Sequence, residues 1–278
     1  MAGNCKYYKR EMYVSMDSGQ TWSGTGVYSQ GALIESASTD CGYVPPTPPH
    51  DYSQDYLTFR PHGDIEFWFS YGDSENYNMI SYSLNSGQSW TAVDYNEHTV
   101  TVHSGDTIMW RGYAMNPNTG NGIGQFHSSG STWDVEGNVM SLLYNDNFSG
   151  QTSLSGYNDV FPNLFYDCTN LTSAENMVLP ATTLTDYCYY QMFCGCTSLT
   201  TAPTLPATTL AESCYEGMFN YCTSLSSITC LATNISATNC TYEWVDGIRT
   251  NGTFTTPSST QWSSGKNGIP QNWTRVNI

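Results

Sequence analysis

The hexapeptide Leu-Pro-Ala-Thr-Thr-Leu occurs twice, at Leu179 and at Leu205, and each copy is followed at matching intervals by Cys-Tyr, Met-Phe and Cys-Thr-Ser-Leu. A period near 26 residues means that each repeat is too small to bury its apolar face alone and must stack on its neighbours, so the C-terminal half is expected to be a solenoid. Single columns extend the register. Cys188, Cys214 and Cys240 are evenly spaced, as are Leu179, Leu205 and Leu231, while Met192-Phe193 and Met218-Phe219 continue as Trp244-Val245. Upstream, Phe165, Cys168 and Leu171 match Phe193, Cys196 and Leu199, and Phe219 and Cys222 continue those columns. The first and last rungs diverge, as capping repeats do. Within a rung, Leu199–Pro206 reads as a short extended element, because proline cannot donate to a ladder. Leu210–Phe219 carries apolar residues at Leu210, Cys214 and Met218, a spacing compatible with a helix.

The run FCGCTSLTTAPTLPATTLAESCYEGMFNYCTSL resembles the BspA-like leucine-rich repeats of gut Bacteroidales proteins and of their bacteriophages, including head and tail fibre proteins of the crAss-like phage type. The resemblance covers about residues 139 to 278, including the ending GTFTTPSSTQWSSGKNGIPQNW. It implies an adhesive or spacer surface and no particular chemistry.

Ahead of the repeats the pattern is β. Ser15–Trp22 (SMDSGQTW) recurs 68 residues later as Ser83–Trp90 (SLNSGQSW), each with an Asx-Ser-Gly turn and a departing Trp that predict a hairpin. The turn residues are Asp17, Gly19 and Trp22 in the first copy and Asn85, Gly87 and Trp90 in the second. The first copy also resembles the Asp-box of sialidase hairpins, where the box is usually a structural turn. Strand candidates at Tyr56–Phe59, Ile65–Phe69, Met79–Leu84, Thr99–Val102 and Thr107–Trp110 suggest an antiparallel sandwich. Four prolines between Pro45 and Pro49 suggest an extended connector. The expected organisation is thus mainly β with some α: an N-terminal β element or anchoring arm over 1–44, a Pro-rich linker over 45–55, a β-sandwich over 56–135, a leucine-rich-repeat solenoid over 136–248 and a cap over 249–278.

Composition bears on partners. Acids outnumber Lys plus Arg by 24 to 8, giving a net charge of -16, which argues against nucleic acid or an anionic membrane. No run of eighteen apolar residues occurs, so no membrane-spanning helix is expected. Met1–Glu11 lacks the apolar core of a secretory leader, an expectation that favours a virion protein made in the host cytoplasm over an exported adhesin. The 21 tyrosines suit contact by stacking and hydrogen bonding, although filling β structure is the commoner use. If contact lies on the repeat, Tyr187, Tyr189, Tyr190, Tyr215 and Tyr221 are the candidates.

No catalytic motif emerges. His-Glu-x-x-His, Gly-x-Ser-x-Gly and the phosphate-binding loop are all missing, and the five histidines show no triad-like grouping. Cys188, Cys194 and Cys196 lack a fourth ligand for zinc, so the columns Cys168, Cys196, Cys222 and Cys188, Cys214, Cys240 read as buried thiols, reduced in a cytoplasmic setting, with disulfides between rungs as the alternative. No metal and no cofactor are expected. The sequence supports a non-enzymatic virion fibre, spike or adhesin, attached to capsid or tail proteins and facing a bacterial glycan or surface protein. It is expected to be a homo-oligomer, with a trimer the common form among viral fibres. A bacterial surface adhesin is the alternative. A carbohydrate-active enzyme ranks behind it, since it requires two carboxylates roughly 5 to 9.5 Å apart that nothing in the sequence locates.

Overall fold

The computed structural model describes residues 11–14, 23–28, 50–71, 79–93, 99–113 and 122–278. The chain is mainly β and divides into two units, Met1–His50 and Asp51–Ile278. In the first unit, strands β1 (Glu11–Val14) and β2 (Ser23–Tyr28) form an antiparallel hairpin pairing Val14 with Ser23 and Tyr13 with Gly24. Asp17, Gly19 and Trp22 lie outside the described residues.

The second unit begins with two sheets. Strands β3 (Leu57–Pro61), β4 (Ile65–Ser70), β5 (Met79–Ser83), β6 (Thr91–Ala92), β7 (Val100–Val102), β8 (Ile108–Tyr113), β9 (Gln125–Gly130) and β10 (Trp133–Asn138) follow in order, then a short helix α1 (Ser141–Tyr144) and β11 (Leu171–Val178). One sheet has the order β11-β10-β3-β8-β5-β6 and the other β7-β4-β9. The period-2 pattern sends Ile65, Phe67 and Phe69 inward from β4. Phe59 meets Phe67 and Phe126 at 5.2 and 4.9 Å, Phe67 meets Trp133 at 5.1 Å and Trp110 meets Phe126 at 4.8 Å, so an aromatic core joins the two sheets. Each ring contributes about 1.5–3 kcal/mol through burial alone. The β5/β6 hairpin pairs Tyr82 with Thr91 and Ser81 with Ala92, the same register as β1/β2 shifted by 68 residues, so the sequence repeat is also a backbone repeat.

The chain does not break at the boundary expected near residue 135. Strand β10 continues there and pairs in parallel with β11, which lies in the repeat region. Bridges from Ser173 to Thr201 and from Thr201 to Ser227 carry this parallel order to β12 (Ser227–Thr229), β13 (Thr253–Thr256) and β14 (Thr274–Asn277). Tyr52–Gln54, at the end of the expected linker, forms a 3-10 turn, with the Ser53 carbonyl accepting a bond from Asn138 Nδ2.

The side of each rung read as a helix is a turn ladder. The amides of Tyr187, Tyr189, Gln191, Phe193 and Gly195 donate to carbonyls of the next rung, at Glu212, Cys214, Glu216, Met218 and Asn220. The alternate amides, Tyr190, Met192, Cys194 and Cys196, bond three residues back within their own rung. Every fourth residue is left-handed, with φ of 55° at Tyr187, 50° at Gln191 and 77° at Gly195, and the pattern recurs at Ser213, Gly217 and Tyr221 and again at Asn239, Glu243 and Gly247. A helix bonds its amides internally and leaves none for a neighbouring rung. Here half of them cross, which offsets the strain of left-handed residues other than glycine.

Side chains along this ladder fall two inward and two outward, with a period of four. Leu210, Cys214 and Met218 share a face under this period as they would on a helix, which explains the helical expectation. Inward rings stack from rung to rung: Phe126, Phe165, Phe193 and Phe219 are spaced 5.7, 5.4 and 5.7 Å apart, and Phe161, Tyr189, Tyr215 and Trp244 are spaced 5.8, 6.0 and 6.4 Å apart. Leu179 and Leu205 are buried, but Leu231 is only half-buried. Leu205 pairs with Cys230, one residue earlier than the 26-residue step requires, so Cys230 takes the interior place expected of Leu231. Both ends of the stack are covered. Ile123 and Phe126 amides bond the Val160 and Leu164 carbonyls at one end; at the other, Val245 N donates to the Lys266 carbonyl and Trp244 Nε1 to that of Gly268.

Candidate functional site

The outward positions of the turn ladder are the strongest candidate for contact. They carry Tyr187, Tyr190, Tyr221 and Tyr242, with Tyr221 59% and Tyr242 42% exposed and the Tyr187 and Tyr190 rings 5.9 Å apart. Tyr189 and Tyr215, also expected as contact residues, are 1% exposed and belong to the stacked interior. The period of four corrects the expectation: in Tyr187-Cys188-Tyr189-Tyr190 the middle pair points inward. Tyr242 escaped the sequence reading, although it lies 52 residues beyond Tyr190 in the same column.

The charge on this face is of one sign. No lysine or arginine occurs from Gly112 to Ile248, while the outward positions hold Asp186, Glu212, Glu216, Glu243 and Asp246. Burial and the nearby Glu216 carboxylate raise the Tyr190 hydroxyl above its ordinary range. Burial and then Asp186 raise the Asp159 carboxyl. The cation on this face comes from the segment after the last rung. Lys266 Nζ lies 2.7 Å from Glu243 Oε1 and 5.8 Å from the centre of the Tyr242 ring, and this hydrogen bond holds the Glu243 carboxyl below its usual value. On the strand side of the rungs, by contrast, hydroxyls are spent on the stack: Thr200 Oγ1 donates to the Thr172 carbonyl and Ser226 Oγ to that of Thr200.

The second hairpin turn is structural. Ser83 Oγ accepts from Gly87 N, and Asn85 Oδ1 accepts from Ser89 N. Trp90 leaves the turn to pack on Tyr56 at 4.9 Å and under the Arg111 guanidinium at 4.2 Å. Arg111 Nη1 and the Tyr56 hydroxyl then converge on Asp146 Oδ1 at 2.6 and 2.8 Å. Burial pushes the Asp146 carboxyl up, but these two donors hold it below its ordinary value overall.

Among the histidines, His127 Nε2 lies 2.7 Å from Ser70 Oγ, a pairing between adjacent strands that the sequence did not reveal. Acyl transfer also needs convergent donors for an oxyanion. What meets Ser70 Oγ besides the imidazole is the Gln125 carbonyl at 3.5 Å, an acceptor. The rung cysteines Cys168, Cys188, Cys196, Cys214, Cys222 and Cys240 are free and buried, as are Cys194 and Cys230. The Sγ atoms of Cys168, Cys196 and Cys222 donate to the carbonyls of Phe126, Phe165 and Phe193 at 3.2, 3.0 and 3.0 Å, so this column is a repeated internal bond. Burial pushes Cys194 up to about 11 and Cys188 and Cys230 up to about 12.

Among the described residues, no group of three or more His, Cys, Asp or Glu is arranged to hold a metal ion, and no helix is long and apolar enough to cross a membrane. No protein-family model, curated protein or solved structure matches the chain.

Proposed function

We propose that the chain is a non-enzymatic structural protein of a bacteriophage virion, a head or tail fibre, spike or adhesin, whose BspA-like leucine-rich-repeat solenoid presents its tyrosine face to the bacterial surface. The observation that carries this reading is the segregation within each rung: stacked rings and thiols fill the interior, while Tyr187, Tyr190, Tyr221 and Tyr242 stand outward on a backbone fixed by bonds between rungs. A rigid array of outward aromatic rings binds at low entropic cost, because few rotamers freeze on contact. The N-terminal unit and the sandwich would hold the protein on capsid or tail proteins, and repeated copies, a trimer for example, would convert weak contacts into avidity. Mass spectrometry of purified particles followed by cryo-electron microscopy tests the reading. Repeated density for the chain at a capsid or tail site supports it. Absence from particles, with the protein found on a bacterial envelope, overturns it in favour of a surface adhesin.

A further inference from the structure

The outward face resolves into columns one rung apart. The bonds from Gln191 N to the Glu216 carbonyl and from Gly217 N to the Tyr242 carbonyl place Tyr190, Glu216 and Tyr242 in successive rungs of one column. Neighbouring rungs are spaced by the ladder repeat of about 4.8 Å. At the lower end of this column a cation is already seated: Lys266 lies against the Tyr242 ring and bonds the Glu243 carboxylate. One rung up, the same pairing of ring and carboxylate recurs as Tyr190 beside Glu216, and no described residue forms an ion pair with Glu216, Glu212 or Asp186.

We infer that this face takes a basic segment of a partner protein, whose lysine or arginine side chains seat against Tyr190 and Glu216 and against the adjoining Asp186 and Glu212, as Lys266 seats against Tyr242 and Glu243. The inference rests on the reading of this face as the contact surface and narrows the partner from "glycan or protein" to a cationic protein. Three features carry it. The face bears carboxylates without a compensating cation over three rungs, so a positive partner gains Coulomb energy and an anionic polysaccharide is repelled. The rings stand beside the carboxylates, the arrangement that holds a cation by its charge and by the ring quadrupole together. The chain itself supplies a worked instance in Lys266. A neutral sugar would gain from the rings but nothing from the carboxylates.

The test is fluorescence polarisation with the full chain and a labelled ten-residue peptide of alternating lysine and serine. The face variant Asp186→Asn/Glu212→Gln/Glu216→Gln is compared with a control of equal charge change, Glu66→Gln/Asp106→Asn/Glu175→Gln, whose positions are exposed and lie off the face. The face variant is expected to weaken binding about tenfold, and the control less than about twofold at a physiological ionic strength that screens distant charges. Tyr190→Ala, which leaves the charge unchanged, is expected to weaken it about threefold through the lost ring. Equal weakening by the two triple variants would mean bare attraction to an acidic protein and overturns the inference, as does failure of the wild-type chain to bind the peptide. Host-cell labelling by the purified chain separates this inference from the attachment reading. Labelling that persists unchanged in the face variant overturns the basic-partner inference and leaves attachment standing, whereas labelling lost together with the peptide supports both.

Discussion

Replacing Phe165 by alanine should destabilise the sheets and the rungs together. Phe165 is fully buried and touches four rings: Phe126 at 5.7 Å, Phe59 at 5.8 Å, Trp133 at 6.1 Å and Phe193 at 5.4 Å. The first three belong to the two-sheet core and the last to the rung stack, so this one ring joins both. Truncating a buried Phe costs about 3–5 kcal/mol, and four ring partners on opposite sides leave little room for collapse, which places the loss at about 4–5 kcal/mol. For a unit of this size the melting temperature should fall by about 8–20 °C. Tyr221→Ala, at an exposed position, should stay within about 0.5 kcal/mol of wild type and serves as the control. Calorimetry gives the shift, and native-state hydrogen exchange tells where it acts. Peptides from Leu57–Pro61 and from Ser213–Cys222 should lose protection by the same free energy. Loss confined to one of them would refute the argument that sheets and rungs form one cooperative unit, and would mean instead that the rungs unzip from their own end as an independent array.

Three further outcomes follow from single groups. Tyr189→Phe should raise stability by about 1 kcal/mol, because the buried hydroxyl finds no hydrogen-bond partner; an unchanged or lower midpoint in urea would show that it is satisfied. Iodoacetamide at pH 8 should leave the rung thiols of the native protein unmodified and label them after unfolding, with the Cys194 thiol, the lowest of those pushed to between about 11 and 12, reacting first; rapid native labelling of Cys188 would contradict the buried column. Asp159→Asn should stabilise at pH 7, since burial and Asp186 raise the folded-state carboxyl above its ordinary 3.8. The native state then binds more protons than the unfolded one, and the penalty is complete above the raised value and gone below the ordinary one. Midpoints for the two proteins should therefore converge by pH 3, whereas a benefit of asparagine at this left-handed position (φ 48°) would persist unchanged at both pH values.

What the sequence made legible was whatever repeats in columns. Leu179 and Leu205, the thiols and the Phe165, Phe193, Phe219 series are interior because stacking places identical residues over one another, and a 26-residue step is enough to see it. The hairpin at Ser83–Trp90 was legible for a local reason, its Asx-Ser-Gly turn chemistry. Three things were not legible. Periods of 3.6 and 4 agree over Leu210, Cys214 and Met218 and diverge only in which neighbours turn inward, so the turn ladder passed for a helix and Tyr189 and Tyr215 passed for surface residues. A rung that is one residue short between Leu205 and Cys230 cannot be seen from a column of similar apolar residues, and Leu231 was misplaced. Strand β11 (LTSAENMV) is too polar to read as a strand, since its pairing with β10 and not its alternation makes it one.

The closure of the stack at both ends decides where a partner can bind. An open rung end is an unpaired ladder and invites another chain to add to it. Here the carbonyls of the first rung are taken by Ile123, Gln125 and Phe126, and the last rung is bonded by Lys266, Asn267 and Gly268. The array therefore offers its sides. On the strand side, threonine and serine hydroxyls are turned into the stack, which leaves methyl groups and a neutral ladder to the solvent. The turn side keeps its polar groups free, because a left-handed residue at every fourth position directs an adjacent pair of side chains outward without spending them on the backbone. Carboxylates and phenols held in this way are preorganised, and the only cation among the described residues that already meets them, Lys266, arrives on a segment from beyond the last rung. A partner that copies this contact need only present a basic side chain one rung further along.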